Sequence, residues 1–222
     1  VRRINVLDDV EMGLEALCAR DPRLRGVRAV AGEVPLRRVE PGFESLVSII
    51  VSQQVSRASA DAIFARLAGL VQPMTPQALA AAGDDLFRQA GLSRPKQKTL
   101  RAVAGAFAEN GFDLDAACRL DAEQAIARMT ALHGIGPWTA EVYLLFASGH
   151  PDVFPSGDVA LQSAVGHALA IDPRPSARAL AEIAESWRPW RGVAARLFWA
   201  YYREMKGRDA LPAAVKPATT AR

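Results

Sequence analysis

Apolar residues return every three or four positions along most of the chain, as in Leu46, Ile49 and Ile50, in Ala60, Ile63, Phe64 and Leu67, and in Leu161, Val165, Ala168 and Leu169. That spacing lines one face of a helix, so it predicts a helical protein. Gly42, Pro73, Pro76, Gly91, Gly111, Gly134, Gly136, Pro155, Gly157 and Pro173 interrupt the pattern. They cut it into helices of about one to four turns joined by short loops. Residues 27–40 alone carry a weak extended signal, and no Asn-Gly or Asp-Gly turn stands between alternating segments. The expected fold class is therefore all-α, without a substantial sheet.

Composition adds boundaries to this picture. At 222 residues, half of them apolar and 23% charged, the chain has enough length for one sizeable core or two lobes. Cys18 and Cys118 stand far apart with no C-x-x-C spacing, which excludes a thiolate metal cluster built from them and makes free thiols the expectation. His133, His150 and His167 lack ligand spacing on one helix face and have no accompanying carboxylate pair, so they read as ordinary histidines. The first residues meet Asp8 and Asp9 before any apolar stretch. No apolar run approaches the roughly 18 residues that cross a bilayer, so a soluble cytoplasmic protein without membrane contact is expected.

A net charge of +3, from 27 Lys and Arg against 24 Asp and Glu, is too small to name a partner by itself. Its distribution says more. Residues 86–108 hold Arg88, Arg94, Lys96, Lys98 and Arg101 with no acid. Residues 188–208 hold Arg188, Arg191, Arg196, Arg203, Lys206 and Arg208 against Glu204 alone. Each run is either a solvated helix face or a surface for phosphates.

The densest local signal is Leu132-His133-Gly134-Ile135-Gly136-Pro137-Trp138-Thr139-Ala140, between a helical segment from Asp121 to Ala131 and another with Ala140, Tyr143, Leu144 and Ala147 on one face. Glycines on both sides of Ile135 permit positive φ at each, and Pro137 suits the first helical position, where its missing N–H costs nothing. A helix, a tight turn and a second helix follow. Such a turn is either a plain αα-corner or a phosphate site, with Gly134, Ile135, Gly136 and Thr139 offering groups at a helix N-terminus.

The longer string Leu-x-Gly-Ile-Gly-x-Trp-Thr-Ala resembles the helix-hairpin-helix of the Gly/Pro-Asp DNA glycosylases. Further along, Val153-Phe154-Pro155-Ser156-Gly157-Asp158-Val159-Ala160-Leu161 is similar to the Gly/Pro-rich segment and following Asp of that superfamily. Ile49-Ile50-Val51-Ser52-Gln53-Gln54-Val55-Ser56, Gly91-Leu92-Ser93 with Lys96, and Trp187-Arg188-Pro189-Trp190-Arg191 with Trp199 extend the likeness over residues 40–205. Together they resemble the DNA-3-methyladenine glycosylase II family in its compact form, without the N-terminal β-rich domain of some members.

The resemblance implies two helical lobes flanking a DNA-binding cleft. Residues 41–150 would form the lobe with the hairpin and a DNA plug; residues 1–40 with 151–222 would form a second lobe, with Asp158 near the junction. Asp158 is by position a good helix N-cap. By resemblance it is the catalytic carboxylate, beside the sugar carbon that gains oxocarbenium character when the base leaves. Two residues after Gly136, bifunctional relatives carry a lysine that attacks that carbon. This chain has Trp138 there, so the resemblance implies a monofunctional, water-using enzyme of base excision repair. Trp138, Tyr143 and Trp199 are candidate walls of a pocket that selects cationic alkylated purines, of the 3-methyladenine and 7-methylguanine type, by cation–π attraction. Their other reading is core packing.

Gln53 and Gln54 interrupt an apolar run just before Ser56, which can cap a helix starting at Arg57. By resemblance Gln54 enters the base stack when a nucleotide is flipped out. Gln53 shares the turn, and Leu92 is a candidate for the opposite strand. Ser93, Lys96 and Lys98 are candidate DNA contacts. The family hairpin also implies a structural sodium or potassium ion on the carbonyls of Thr130, Leu132 and Gly134, with no catalytic cofactor or nucleotide. A monomer acting on double-stranded DNA with alkylated bases is expected. Two further readings stand beside this one: a noncatalytic helix-hairpin-helix module for bent or damaged DNA, and a glycosylase for deaminated bases such as hypoxanthine or uracil. Residues 207–222, rich in Ala, Pro and Thr, read as a loose tail.

Overall fold

The computed structural model describes residues 3–109 and 111–207. Arg208 of the second basic run, and the expected tail beyond Gly207, lie outside the described residues. Among the described residues there is no strand. Segment 27–40, whose pattern was the only extended one, opens inside a helix and continues without regular structure.

In chain order the helices are α1 (Leu7–Arg20), α2 (Arg23–Ala31), α3 (Phe43–Ser52), α4 (Arg57–Leu70), α5 (Pro76–Ala80), α6 (Asp84–Ala90), α7 (Arg94–Ala108) and α8 (Leu114–Arg119). They continue with α9 (Ala122–Thr130), α10 (Pro137–Phe146), α11 (Val159–Ala168), α12 (Ala177–Ala184), a 3-10 turn (Glu185–Trp187) and α13 (Arg191–Lys206). They divide into two compact units, one of residues 39–143 and one of residues 3–38 with 144–207. The division falls inside α10, between Tyr143 and Leu144, ahead of the position 150 expected from the resemblance.

In the unit of residues 39–143, α3 is the central element. Leu46, Val47, Ile49, Ile50 and Val51 are all buried, which a helix can sustain only when it is covered on most sides. It packs on α4 and α7, while α7 also packs on α5 and α4 on α6. Local chemistry sets the helix starts. Ser56 accepts a hydrogen bond from the Ser59 amide at 3.2 Å and begins α4 where the sequence places it. Thr75, Asp113 and Asp121 cap α5, α8 and α9 in the same way.

In the other unit α13 is the axis. Every residue from Gly192 to Tyr202 is buried, and α1, α2 and α11 pack around it. Within this run Arg196 is 3% exposed. It donates from Nε to the Leu36 carbonyl (3.2 Å), from Nη1 to Gly192 (2.9 Å) and from Nη2 to Leu145 (2.7 Å). Its guanidinium also lies 5.0 Å from the Phe146 ring centroid. Leu145 sits in the last turn of α10, where carbonyls lack helical partners, so the planar fork of donors completes that helix end from the side. Burial, with Arg38 nearby, pushes the Arg196 pKa down to about 9, so it stays charged at pH 7.

The second basic run is therefore not a free cationic face. Arg191 grips Asp152 with Nε at 2.8 Å and pairs with Glu185 at 2.7 Å, while Arg188 reaches the same two carboxylates. Arg203 pairs with Glu204 at 2.9 Å.

Arg196→Met keeps the unbranched apolar stem but leaves the Leu36 and Leu145 carbonyls without this donor. A loss of at least about 3 kcal/mol in unfolding free energy is expected from urea denaturation followed by tryptophan fluorescence. A loss below about 1 kcal/mol would mean that solvent satisfies those carbonyls.

Candidate active site

The hairpin folds as its sequence predicts in outline and differs in detail. After α9 the chain closes on Leu132, whose amide donates to Met129 and whose carbonyl accepts from Ile135, both at 3.1 Å. Gly134 has φ +82, and a Cβ there would lie 2.1 Å from Oγ1 of Thr99 on α7. Both backbone conformation and close packing thus require glycine. Gly136 has neither positive φ nor any atom within 4 Å of an added Cβ, so of the two glycines that permit positive φ Gly134 is the one that adopts it. The Ile135 amide is likewise taken by Leu132 rather than held open for a phosphate. Pro137 begins α10 at its first position, and Trp138 follows half-buried. Thr139, expected beside the phosphate, is 2% exposed. Its hydroxyl instead accepts from Gln53 Nε2 at 2.7 Å.

Gln53 and Gln54 occupy the turn between α3 and α4. Gln53 is extended, with φ −58 and ψ 130. Gln54 takes φ +55 and is exposed. A non-glycine residue in the left-handed region costs about 1 kcal/mol or more, so the turn is held there by its surroundings. One support is Lys96 on α7, whose Nζ donates to the Val51 carbonyl at 2.6 Å. Burial holds the pKa of Lys96 below the ordinary lysine value. Ser93 stands at the start of α7 without a capping bond from its side chain, and Lys98 is exposed.

Asp158 lies in the other unit, at the N-terminus of α11. Its Oδ1 accepts from the amides of Ala160 (2.9 Å) and Leu161 (3.0 Å) and from Nε1 of Trp199 (3.4 Å). The capping role is thus realised, and it also fixes the carboxylate at the positive end of a helix. Asp158 is itself buried, at 8% exposed, next to Val159, which is 59% exposed. Gln162 donates to the Ser156 carbonyl at 2.9 Å and ties down the Pro-Ser-Gly turn. Its place four residues beyond Asp158, on the same helix face, was the available signal for that role. A fixed carboxylate can stabilise developing positive charge or receive a proton from water.

These elements match a known family. The HhH-GPD superfamily base excision DNA repair protein description matches residues 47–189. The chain belongs to that superfamily. It is 34% identical over 212 residues to a Mycobacterium tuberculosis protein named probable bifunctional transcriptional activator/DNA repair enzyme AlkA, covering 89% of this chain and 41% of that one. The chain therefore spans about two fifths of that relative's length. Among solved structures, the Bacillus halodurans DNA-3-methyladenine glycosidase superposes with a TM-score of 0.77 at 32% identity, over 89% of this chain and 92% of that one. The Schizosaccharomyces pombe 3-methyladenine DNA glycosylase in complex with abasic DNA gives 0.74 at 26% identity, over 88% and 95%. The all-α fold is that of the superfamily.

Several residues singled out from the sequence have other places in this fold. Leu92 is buried, because Gly91 ends α6 in the left-handed conformation (φ +84) and the Leu92 amide bonds back to Phe87 at 3.1 Å. That is a Schellman turn, whose apolar residue packs inward, so Leu92 is not presented as a wedge. Trp199 is 1% exposed. Its ring lies 5.5 Å from Phe146, which makes it a holder of Asp158 rather than an open pocket wall. In the first basic run, Arg88 pairs with Asp85 and Arg101 with Asp84. Arg94 and Lys98 stay exposed. A cavity of about 830 Å³ beside Phe43, Phe64 and Met74 contains none of the predicted residues, and Glu40, Glu44 and Asp61 on its wall would repel phosphates. Among the described residues no helix is long and apolar enough to cross a membrane.

Tyr143 is fully buried, and its hydroxyl accepts from the Gly42 amide at 2.8 Å. Burial raises its pKa far above the ordinary phenol value. The core reading of its spacing is the one realised. Tyr143→Phe leaves the Gly42 amide without that acceptor, and a loss of about 1–2 kcal/mol in thermal or urea unfolding is expected. A loss below about 0.3 kcal/mol would mean that water replaces the phenol as acceptor.

Proposed function

We propose that this protein is a monofunctional DNA glycosylase that hydrolyses the N-glycosidic bond of alkylated purines in duplex DNA, of the 3-methyladenine and 7-methylguanine type. The observation that carries the reading is Asp158, a carboxylate fixed by two helix amides and an indole at the N-terminus of α11. As the bond between C1′ and the base lengthens, positive charge grows on the sugar, and a fixed carboxylate lowers the energy of that state without reorganising. The electron pair leaves with the base. Alkylation at N3 or N7 makes a purine cationic, so it departs as a neutral molecule and needs no general acid. Water adds to C1′ and gives up a proton, with Asp158 as its acceptor or as the electrostatic partner of the cation.

Substrate access requires the nucleotide to leave the stack. Exposed Gln54 fills the vacated space, and the hairpin holds the backbone. Neither Gly136 nor Gly157 has a positive φ or a neighbour that forbids a Cβ, which supports a role for bare backbone approached from outside. Half-buried Trp138 stands where a lysine would make the enzyme a lyase, so the product is an intact strand with an abasic site. The backbone oxygens of Thr130, Leu132 and Gly134 are neutral donors suited to a sodium or potassium ion, which would brace the hairpin.

The test is incubation with methylated duplex DNA, identification of the released bases by chromatography, and a search for strand breaks before and after alkali. Methylpurines and alkali-dependent breaks are expected. Asp158→Asn keeps an equivalent helix cap, so its melting temperature and duplex affinity should match wild type while single-turnover base release falls about 100-fold or more. Equal release by the variant would remove Asp158 from the chemistry. Breaks without alkali would overturn the monofunctional assignment, and DNA binding by wild type with no base released would identify a noncatalytic module.

A further inference from the structure

The turn that carries Gln54 is tied to the hairpin by a bond between side chains 86 positions apart in sequence. Gln53 Nε2 donates to Thr139 Oγ1 at 2.7 Å, and Thr139 is buried in the first turn of α10. On the other side the turn is held by Lys96, which donates to Val51, the residue before the last of α3. The Gln53 amide closes the helix end on Ile50 at 3.3 Å. Thr99, one turn along α7 from Lys96, packs against Gly134 of the hairpin. The turn, α7 and the hairpin are thus joined by contacts within one unit, and between them Gln54 sits exposed in a left-handed conformation that a free glutamine rarely adopts.

We propose that Gln53, with Thr139 as its acceptor, is a positioning residue that locks the turn onto the start of the hairpin's second helix and so presets the orientation in which Gln54 enters DNA. The inference rests on the glycosylase reading for what Gln54 does, and on the bond itself for the lock. Both glutamines were candidate wedges in the sequence. The structure divides the work: the side chain of Gln53 is spent inside the protein, and Gln54 alone is presented. A lock of this kind removes the cost of ordering the turn when DNA binds, and it fixes the register between the wedge and the backbone-binding turn.

The test uses the full chain with four single variants: Gln53→Ala, Gln54→Ala, Thr139→Val, which is isosteric but lacks the hydroxyl, and Thr139→Ser, which keeps it. The first readout needs no DNA activity. Hydrogen exchange in a peptide covering residues 51–56 should quicken about tenfold in Thr139→Val and Gln53→Ala and stay at the wild-type rate in Thr139→Ser. The second is affinity for a duplex with a tetrahydrofuran abasic-site analogue. It should weaken about tenfold in Gln53→Ala and Thr139→Val, and the effect of Gln53→Ala should vanish in a Gln54→Ala background.

Unchanged exchange in both variants would overturn the lock. Effects of Gln53→Ala and Gln54→Ala that multiply would also overturn it, because Gln53 would then touch DNA on its own account. If wild type bound the abasic duplex no better than an intact one, the wedge reading would fail, while the exchange result would still decide whether the bond holds the turn.

Discussion

Every α-helix leaves unpaired N–H groups at its start and unpaired carbonyls at its end, and a chain cut into short helices must satisfy many such ends at once. This constraint organises the protein. Asp158 answers the first amides of α11, Lys96 answers a carbonyl in the last turn of α3, and Arg196 answers one in the last turn of α10. The exposed turn with Gln54 and the hairpin with Trp138 are themselves junctions between helices. Polar chemistry gathers at these places because helix interiors consume their own backbone groups. A side chain recruited to close a helix end is held rigidly, which is also what a reacting site requires.

For this reason the observed capping role of Asp158 and the proposed catalytic one do not compete. An aspartate that merely capped α11 and an aspartate that stabilised a sugar cation would need the same anchoring, and the bonds that satisfy Ala160 and Leu161 supply it. Trp199 contributes from inside the core, where its ring packs on Phe146 and Phe146 lies under the guanidinium of Arg196. The residues around the carboxylate therefore descend in an unbroken packed series to the buried guanidinium of Arg196. Asp158 is supported from α13 as well as from its own helix.

What the sequence made legible was local. The apolar period, the caps at Ser56 and Asp158, and Pro137 at a helix start each depend on a few consecutive residues, and the structure reproduces them. What it hid depends on which distant residues meet. Nothing near Gln53 announces Thr139, nothing near Tyr143 announces Gly42, and the Leu92 side chain turns inward because of a helix end that propensity alone does not fix. The basic run at 86–108 shows the same limit in another form. Asp84 and Asp85 lie just upstream, and folding of α6 and α7 brings them onto Arg101 and Arg88. Charge counted along the chain overstates the charge a partner meets.

The composition of the cationic residues bears on the chemistry in a way that their number does not. Of 27 basic residues only Lys96, Lys98, Lys206 and Lys216 are lysines. Arginine suits phosphate and carboxylate recognition through its fixed fork of donors, but its guanidinium does not serve as a nucleophile at neutral pH. Attack on a sugar carbon by the protein calls for a free amine, and desolvation is the usual means of freeing one. Among the described residues Lys96 is the lysine whose pKa burial depresses, and its ammonium is already turned onto the Val51 carbonyl at the end of α3. That amine is thus committed to holding the turn that carries Gln54, and the position two residues after Gly136, where the resemblance places a lysine in bifunctional relatives, holds the indole of Trp138. Both facts favour water over a protein amine as the nucleophile in the glycosylase reading proposed above.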